Sequence, residues 1–344
     1  MREQMEQLIY KGYRKRRIRS ILVTTILIVV IILLSAITLI YGNTIYSPET
    51  ILRVVLGEHI NGVSFTIGTL RLPRMLTGLF VGIAFGISGN TFQTILRNPL
   101  ASPDIIGVTS GASVAAVFAI LILGLSGNVV SVIAVISGLL IAALIYLISL
   151  GNGSSNSRMI LVGIGMQAFL NALISWLLLK ASQYDVSTAL RWMSGSLNGV
   201  LMENVPRLFI VVVLAGGALL YLNRSLVILQ LGEEYPITLG VKLKGVRIVS
   251  ILIALFLTAI ATSVTGPIAS VAFLSGPIAS RLIGRGRPHM LASGLIGAIL
   301  VLAADLIGQN LFQVRYPVGV ITGILGAPYL IFLLIGMNRK GERV

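Results

Sequence analysis

Cysteine is missing from all 344 residues, and histidine occurs only at His59 and His289. These shortages remove most ways of building a zinc, haem or iron–sulfur centre from side chains, so the chain is expected to hold no metal of its own. Charge is scarce too: 11% of residues are Asp, Glu, Lys or Arg, against about 25% in a soluble domain. No G-x-x-x-x-G-K-S/T stretch occurs, so a P-loop for nucleotide is excluded. Acids are nearly absent from the apolar segments; Asp305 alone lies within one, close to its end.

What fills the chain is apolar, at 56% of residues. A bilayer core takes about 20 apolar residues per helix, and residues 20–40 supply the first such run without a charge. The basic stretch Arg14-Lys15-Arg16-Arg17-Ile18-Arg19 precedes it, yet the run is too long for a signal peptide and no small-x-small cleavage site follows, so it reads as an uncleaved span. Further spans are expected near 75–96, 104–124, 129–150, 159–179, 208–222, 248–264, 270–280, 290–309 and 317–336, of which 270–280 is too short to cross alone. Ten crossings put both termini on one side, and that side carries 19 of the 26 Lys and Arg residues. Basic loops mark the cytoplasm, so both termini are expected on the cytoplasmic side of the membrane. The net charge of +15 is then a topology signal, and no nucleic-acid partner is expected.

The chain divides into a basic N-terminus at 1–19, a membrane domain at 20–337 with a polar segment near 225–247, and a short tail at 338–344. Gly78, Gly82 and Gly86, Gly107 with Gly111, and Gly319 with Gly323 form GxxxG steps. In lipid, such steps serve close helix packing. Gly86-Ile87-Ser88-Gly89 also matches the G-x-S-G of intramembrane serine proteases, with Ser88 as nucleophile. A serine there needs a histidine from another span, and His59 and His289 both fall at span ends or loops. A proton-driven secondary carrier needs carboxylates or histidines near mid-membrane, and these too are lacking.

One apolar run is broken abruptly by Arg97-Asn98-Pro99-Leu100-Ala101-Ser102-Pro103-Asp104. Pro99 has no amide hydrogen and turns Asn98 away from helix, so the second span ends there, and Pro103 acts likewise before the third. Irregular backbone at membrane depth is tolerated only where protein or a water-filled path satisfies it.

Arg71-Leu72-Pro73-Arg74, Ile87-Ser88-Gly89 with Gln93, Asn98-Pro99-Leu100-Ala101 with Pro103, and Gly107 with Gly111-Ala112 resemble the signature of ABC importer permeases of the FecCD/BtuC type. The resemblance continues in order through Trp192-Met193-Ser194-Gly195, Leu231-Gly232-Glu233, Leu239-Gly240-Val241, Gly266-Pro267-Ile268-Ala269, Ala304-Asp305 and Pro317-Val318-Gly319 with Gly326-Ala327-Pro328. Two departures stand out: Pro277-Ile278-Ala279-Ser280-Arg281 lacks the histidine that usually follows the proline, and Arg315 stands where members carry Glu.

The resemblance implies an all-α polytopic fold of the type II importer architecture and a transport subunit, not an enzyme. It would pass a ferric siderophore, haem or cobalamin from an extracytoplasmic binding protein to the cytoplasm. The implied partners are a second permease copy or paralogue and two ATPase subunits, which carry the ATP and magnesium; no cofactor is expected on this chain. Arg71, Arg74 and Arg315 are expected to dock the binding protein. Asn98, Pro99 and Leu100 would form a cytoplasmic gate together with Ser155 and Asn156 in the loop after the fourth span. Leu231, Gly232, Glu233, Leu239, Gly240 and Val241 would couple to the ATPase.

Overall fold

The computed structural model describes residues 2–149, 156–229, 243–284 and 289–338. Among them are twelve α-helices: α1 (Arg2–Ile40), α2 (Pro48–Val55), α3 (Leu72–Leu96), α4 (Val108–Leu121), α5 (Asn128–Ser149), α6 (Asn156–Lys180), α7 (Gln183–Met193), α8 (Asn204–Leu229), α9 (Leu243–Thr265), α10 (Val271–Ile283), α11 (Met290–Asn310) and α12 (Val318–Asn338). A π turn, Phe65–Arg71, leads directly into α3, and a 3-10 turn, Pro103–Ile106, precedes α4. Each of the ten expected spans coincides with a helix. Seven are long and apolar enough to cross a membrane, α3 being counted with its π turn.

Several boundaries differ from the hydropathy pattern, each for a physical reason. α1 runs on through the basic stretch to Arg2, because Lys and Arg are good helix formers even where hydropathy is low. α4 has only 14 residues, since Pro103 and left-handed Gly107 delay its start. α8 gains about one turn at its start and about two at its end over the expected 208–222. α10, with 13 residues, reaches only about 20 Å at 1.5 Å per residue. The short helices α2 and α7 were not anticipated. They lie between spans, and each is capped by a serine, Ser47 accepting from the Thr50 amide and Ser182 from the Asp185 amide.

α3 is the axis of the bundle: 78% of its apolar window is buried, against 17% for α1. It packs against α11, α9, α10 and α8. The glycine steps explain how helices approach so closely. A Cβ on Gly86 would lie 2.1 Å from the Ser293 carbonyl oxygen of α11, and one on Gly89 would fall within 1.8 Å of the Ala272 oxygen of α10. Gly107 and Gly111 instead admit Ile141 and Ile145 of α5. Backbone therefore packs on backbone at the centre, where side-chain hydrophobicity gives no preference for protein over lipid.

Arginines tie the apolar stretch of α1, residues 20–40, to the rest of the chain at both of its ends. At its basic end the Arg19 guanidinium donates to the carbonyls of Leu282 (2.8 Å) and Arg281 (3.3 Å) at the end of α10. At the far end Arg71 donates to the Leu39, Ile40 and Thr44 carbonyls at 2.7, 3.0 and 2.6 Å and lies over the Tyr46 ring. Helix C-termini leave carbonyls unpaired, and a guanidinium satisfies several at once.

Candidate functional site

The break after α3 folds into a closed set of local hydrogen bonds. Arg97 takes a left-handed conformation (φ 52°), and its amide, like that of Asn98, returns to the Gln93 carbonyl. The Asn98 side-chain oxygen then accepts from the Leu100 amide at 2.8 Å, while its main-chain oxygen accepts from the Ala101 amide at 3.1 Å. An Asx turn of this kind mimics a backbone turn and is what an Asn before proline favours. Asp104 accepts from the hydroxyls of Thr109 and, at 3.5 Å, Ser102, which fixes the start of α4. Pro99 and Leu100 are half-buried and Ala101 is fully buried.

Under this turn α3 is polar on the side that meets α10. Gln93 donates to the Phe273 carbonyl at 2.9 Å. A Cβ on Gly276 would strike the Gln93 side-chain oxygen, so the glycine is the space that the glutamine occupies. Asn90, 4% exposed, leaves its side-chain oxygen without a partner in the same region. Ser88 is fully buried and donates to the Phe85 carbonyl of its own helix. Of the two histidines, His59 is exposed between α2 and the π turn, and His289 pairs with the Gly284 carbonyl at the basic end.

The far end holds three glycine-bearing loops joined backbone to backbone. The Ser196 amide donates to the Thr265 carbonyl at 2.7 Å and the Gly319 amide to the Gly195 carbonyl at 3.1 Å. A Cβ on Gly195, Gly266 or Gly319 would lie 2.1–2.2 Å from a backbone oxygen of a neighbouring loop. The stretches Trp192–Gly195, Gly266–Ala269 and Pro317–Gly319 thus meet at one junction although they are far apart in the chain.

Beside that junction the three expected outer arginines are all engaged within the chain. Arg74 grips Asp305 of α11 side-on, with Nε to Oδ2 at 2.8 Å and Nη2 to Oδ1 at 2.7 Å. Gln309, one turn on, donates to the same Oδ2 at 2.5 Å. Arg74 Nη1 points to the exposed Asn198, 3.4 Å from its oxygen. Arg315 is exposed and donates to the Asn43 side chain at 3.0 Å, in the loop that Arg71 pins. The sequence presented the arginines and Asp305 separately; the pairing across 231 residues carries no local signal. The Arg281 contact with the rings of Tyr329 (5.4 Å) and Phe332 (4.8 Å) was likewise unforeseen.

Asn98, Pro99 and Leu100 therefore sit together at the basic end, while Arg71, Arg74 and Arg315 gather at the opposite one. Asn156 begins α6, whose first side chains are not described. Ser155 and the expected coupling residues Leu231, Gly232, Glu233, Leu239, Gly240 and Val241 lie outside the described residues.

The profile of the FecCD transport family matches residues 26–336. The chain is 36% identical over 324 residues to the ferric enterobactin transport system permease protein FepG of Escherichia coli (strain K12), covering 94% of this chain and 98% of that protein. It is 33% identical over 270 residues to the cobalamin import system permease protein BtuC of Halobacterium salinarum, covering 78% of this chain and 73% of that protein. Among solved structures it resembles a metal-chelate type ABC transporter in an inward-facing conformation, with a TM-score of 0.81, 27% identity and coverage of 91% of this chain and 98% of the other.

Proposed function

The chain belongs to the FecCD transport family, and we propose that it is the membrane-spanning permease subunit of an ATP-driven importer for a ferric siderophore. The observation that carries this reading is similarity along nearly the whole length to siderophore permeases, together with a proline-broken span whose backbone is satisfied without charge. Irregular backbone at membrane depth is tolerated where protein or a water-filled path satisfies it, and a transport path supplies such a place.

In this reading two copies, or this chain and a paralogue, enclose a path between them in a bacterial or archaeal plasma membrane, with residues 20–337 as the permease domain. The basic end faces the cytoplasm. There the turn at Asn98, Pro99 and Leu100 from each subunit narrows the path, with Ser155 and Asn156 as the second element. Leu231, Gly232, Glu233, Leu239, Gly240 and Val241 engage a groove on each of two ATPase subunits, which bind the ATP and magnesium. The opposite end receives an extracytoplasmic binding protein. Arg71 shapes that end by holding the 41–46 loop, while Arg74 and Arg315 offer guanidinium groups to acidic side chains. The iron chelate is cargo and crosses without chemical change.

Asp305 also bears on the alternative of an ion-gradient carrier. Its carboxylate is held by Arg74 near the end of a span, not free at mid-membrane as a proton relay requires. The test is uptake of an iron-labelled siderophore into proteoliposomes holding the permease and its ATPase. Uptake is expected to need ATP on the ATPase side and to persist when a protonophore collapses the proton gradient. Uptake that stops with the gradient and ignores ATP would refute the assignment.

A further inference from the structure

Arg74 and Asp305 form a lopsided ion pair. The Asp305 side chain is 2% exposed and that of Arg74 15%. A pair that served packing alone would cover both partners, because an ion taken out of water is costly unless all its hydrogen-bonding capacity is used. The acid meets that condition: Oδ1 accepts from Nη2, and Oδ2 accepts from Nε and from Gln309. The base does not. A guanidinium has five N–H groups in a rigid fork, and Asp305 takes the two along one edge. Nη1 retains only the long 3.4 Å approach to Asn198, which is exposed.

We propose that Asp305 is a positioning residue: it holds Arg74 side-on, so that the terminal Nη1/Nη2 edge is fixed facing outward beside Asn198, ready for a carboxylate of the binding protein. This rests on the docking role given to Arg74 above. A free arginine at a span end sweeps through many rotamers and lies against lipid headgroups, and ordering it on binding lowers affinity. Here the ordering is complete before the partner arrives. Gln309 keeps the Asp305 carboxylate from rotating, and Pro73 in the first turn of α3 stiffens the backbone that carries Arg74. The remaining edge suits a second carboxylate end-on, since planar bidentate recognition is what distinguishes Arg from Lys.

Simple electrostatics gives the opposite sign. If Asp305 merely added negative charge near a cationic surface, its removal would strengthen attraction for an acidic partner. The experiment is a titration of the permease, in nanodiscs with its ATPase, with the purified binding protein of the same uptake system at low and moderate salt. Arg74→Gln is expected to weaken docking roughly tenfold, the scale of a lost charge-assisted contact. Asp305→Asn is expected to weaken it by a similar factor although the cation is retained. In the Arg74→Gln background Asp305→Asn should add nothing, because its effect runs through Arg74. Gln309→Leu is the gentler variant should Asp305→Asn fail to fold; it should cost roughly two- to threefold, again only when Arg74 is present. Unchanged or tighter docking by Asp305→Asn or Gln309→Leu, while Arg74→Gln is impaired, would overturn the positioning role alone. Equal losses with and without Arg74 would reduce Asp305 to a packing residue. Wild-type docking by Arg74→Gln would overturn the docking role, and the positioning role with it.

Discussion

Replacing Gly86 with alanine adds one methyl group at a backbone-to-backbone approach of α3 and α11, the two most buried of the seven long spans. The new Cβ would stand 2.1 Å from the Ser293 oxygen, 2.7 Å from its carbonyl carbon and 2.9 Å from the Gly294 Cα. All three are backbone atoms of α11, so no side chain can rotate away. The first contact falls about 1.3 Å short of the 3.4 Å at which ordinary van der Waals separation begins. α3 and α11 must part by about that distance. Gly82 lies one turn above on the same ridge, facing Ala298 and Gly297, and Gly297 in turn meets the Gly82 oxygen, so a shift at one step opens the next. A gap of 0.5–1 Å already forfeits roughly a quarter to a half of the dispersion attraction along a contact. Overpacking of this kind costs about 1–3 kcal/mol. Gly217 on α8 is the control, since a Cβ there meets nothing within 4 Å and alanine is the better helix former by up to about 1 kcal/mol. In a heat-step assay read by fluorescence size exclusion, Gly86→Ala should lower the midpoint by several degrees and Gly217→Ala should leave it unchanged or raise it. Equal midpoints for the two variants would refute the claim that backbone contact, not side-chain burial, sets the α3–α11 distance.

Arg71→Ala strands the Leu39, Ile40 and Thr44 carbonyls; a loss of about 1–3 kcal/mol is expected, visible as a lower midpoint and faster proteolysis at 41–47, and normal resistance would count against the cap. Leu100→Cys, in a chain with no other cysteine, should form a cross-subunit disulfide if two copies meet at the gate, because a bond needs Cα atoms within about 7 Å. Asn98→Cys should cross-link less cleanly, since it also removes the Asx turn; silence at both positions in every nucleotide state would make the break a simple turn. Leu239→Asp should release the ATPase subunit on co-purification while the thermal midpoint stays unchanged, and retained ATPase with normal uptake would remove that segment from the interface.

Hydropathy found a helix for each expected apolar run, seven of them long enough to cross a membrane, because burial in lipid is recorded in each residue separately. It failed at the ends of helices, where capping decides: Pro103 and Gly107 shortened α4, and the serine-capped α2 and α7 carry too little apolar length to register. The proline break was legible, because Pro99 acts on its own neighbours. The pairing of Arg74 with Asp305 was not, since 231 residues separate them and each has its own local explanation. The ordered motifs named the family without revealing why they recur. Three of them, Trp192–Gly195, Gly266–Ala269 and Pro317–Gly319, are the loops whose backbones touch at one junction, a relation that no single stretch contains.

The arginine ties at the two ends of the apolar stretch of α1 bear on the order of assembly. α1 precedes every helix it packs on, yet Arg19, at the basic end of its apolar stretch, is held by the carbonyls of Arg281 and Leu282, and its flank rests on α11 and α10. Arg19 must wait for a partner 263 residues downstream, which at 5–20 residues per second is a delay of roughly 13–53 s. Until then α1 has only its nearer partners, Arg71 at its far end and Leu72, Met75 and Leu79 of α3 beside Ile31 and Leu34, with the charge before the apolar stretch setting its depth. A helix that precedes all its packing partners is thus locked late, and α10 and α11 close over it.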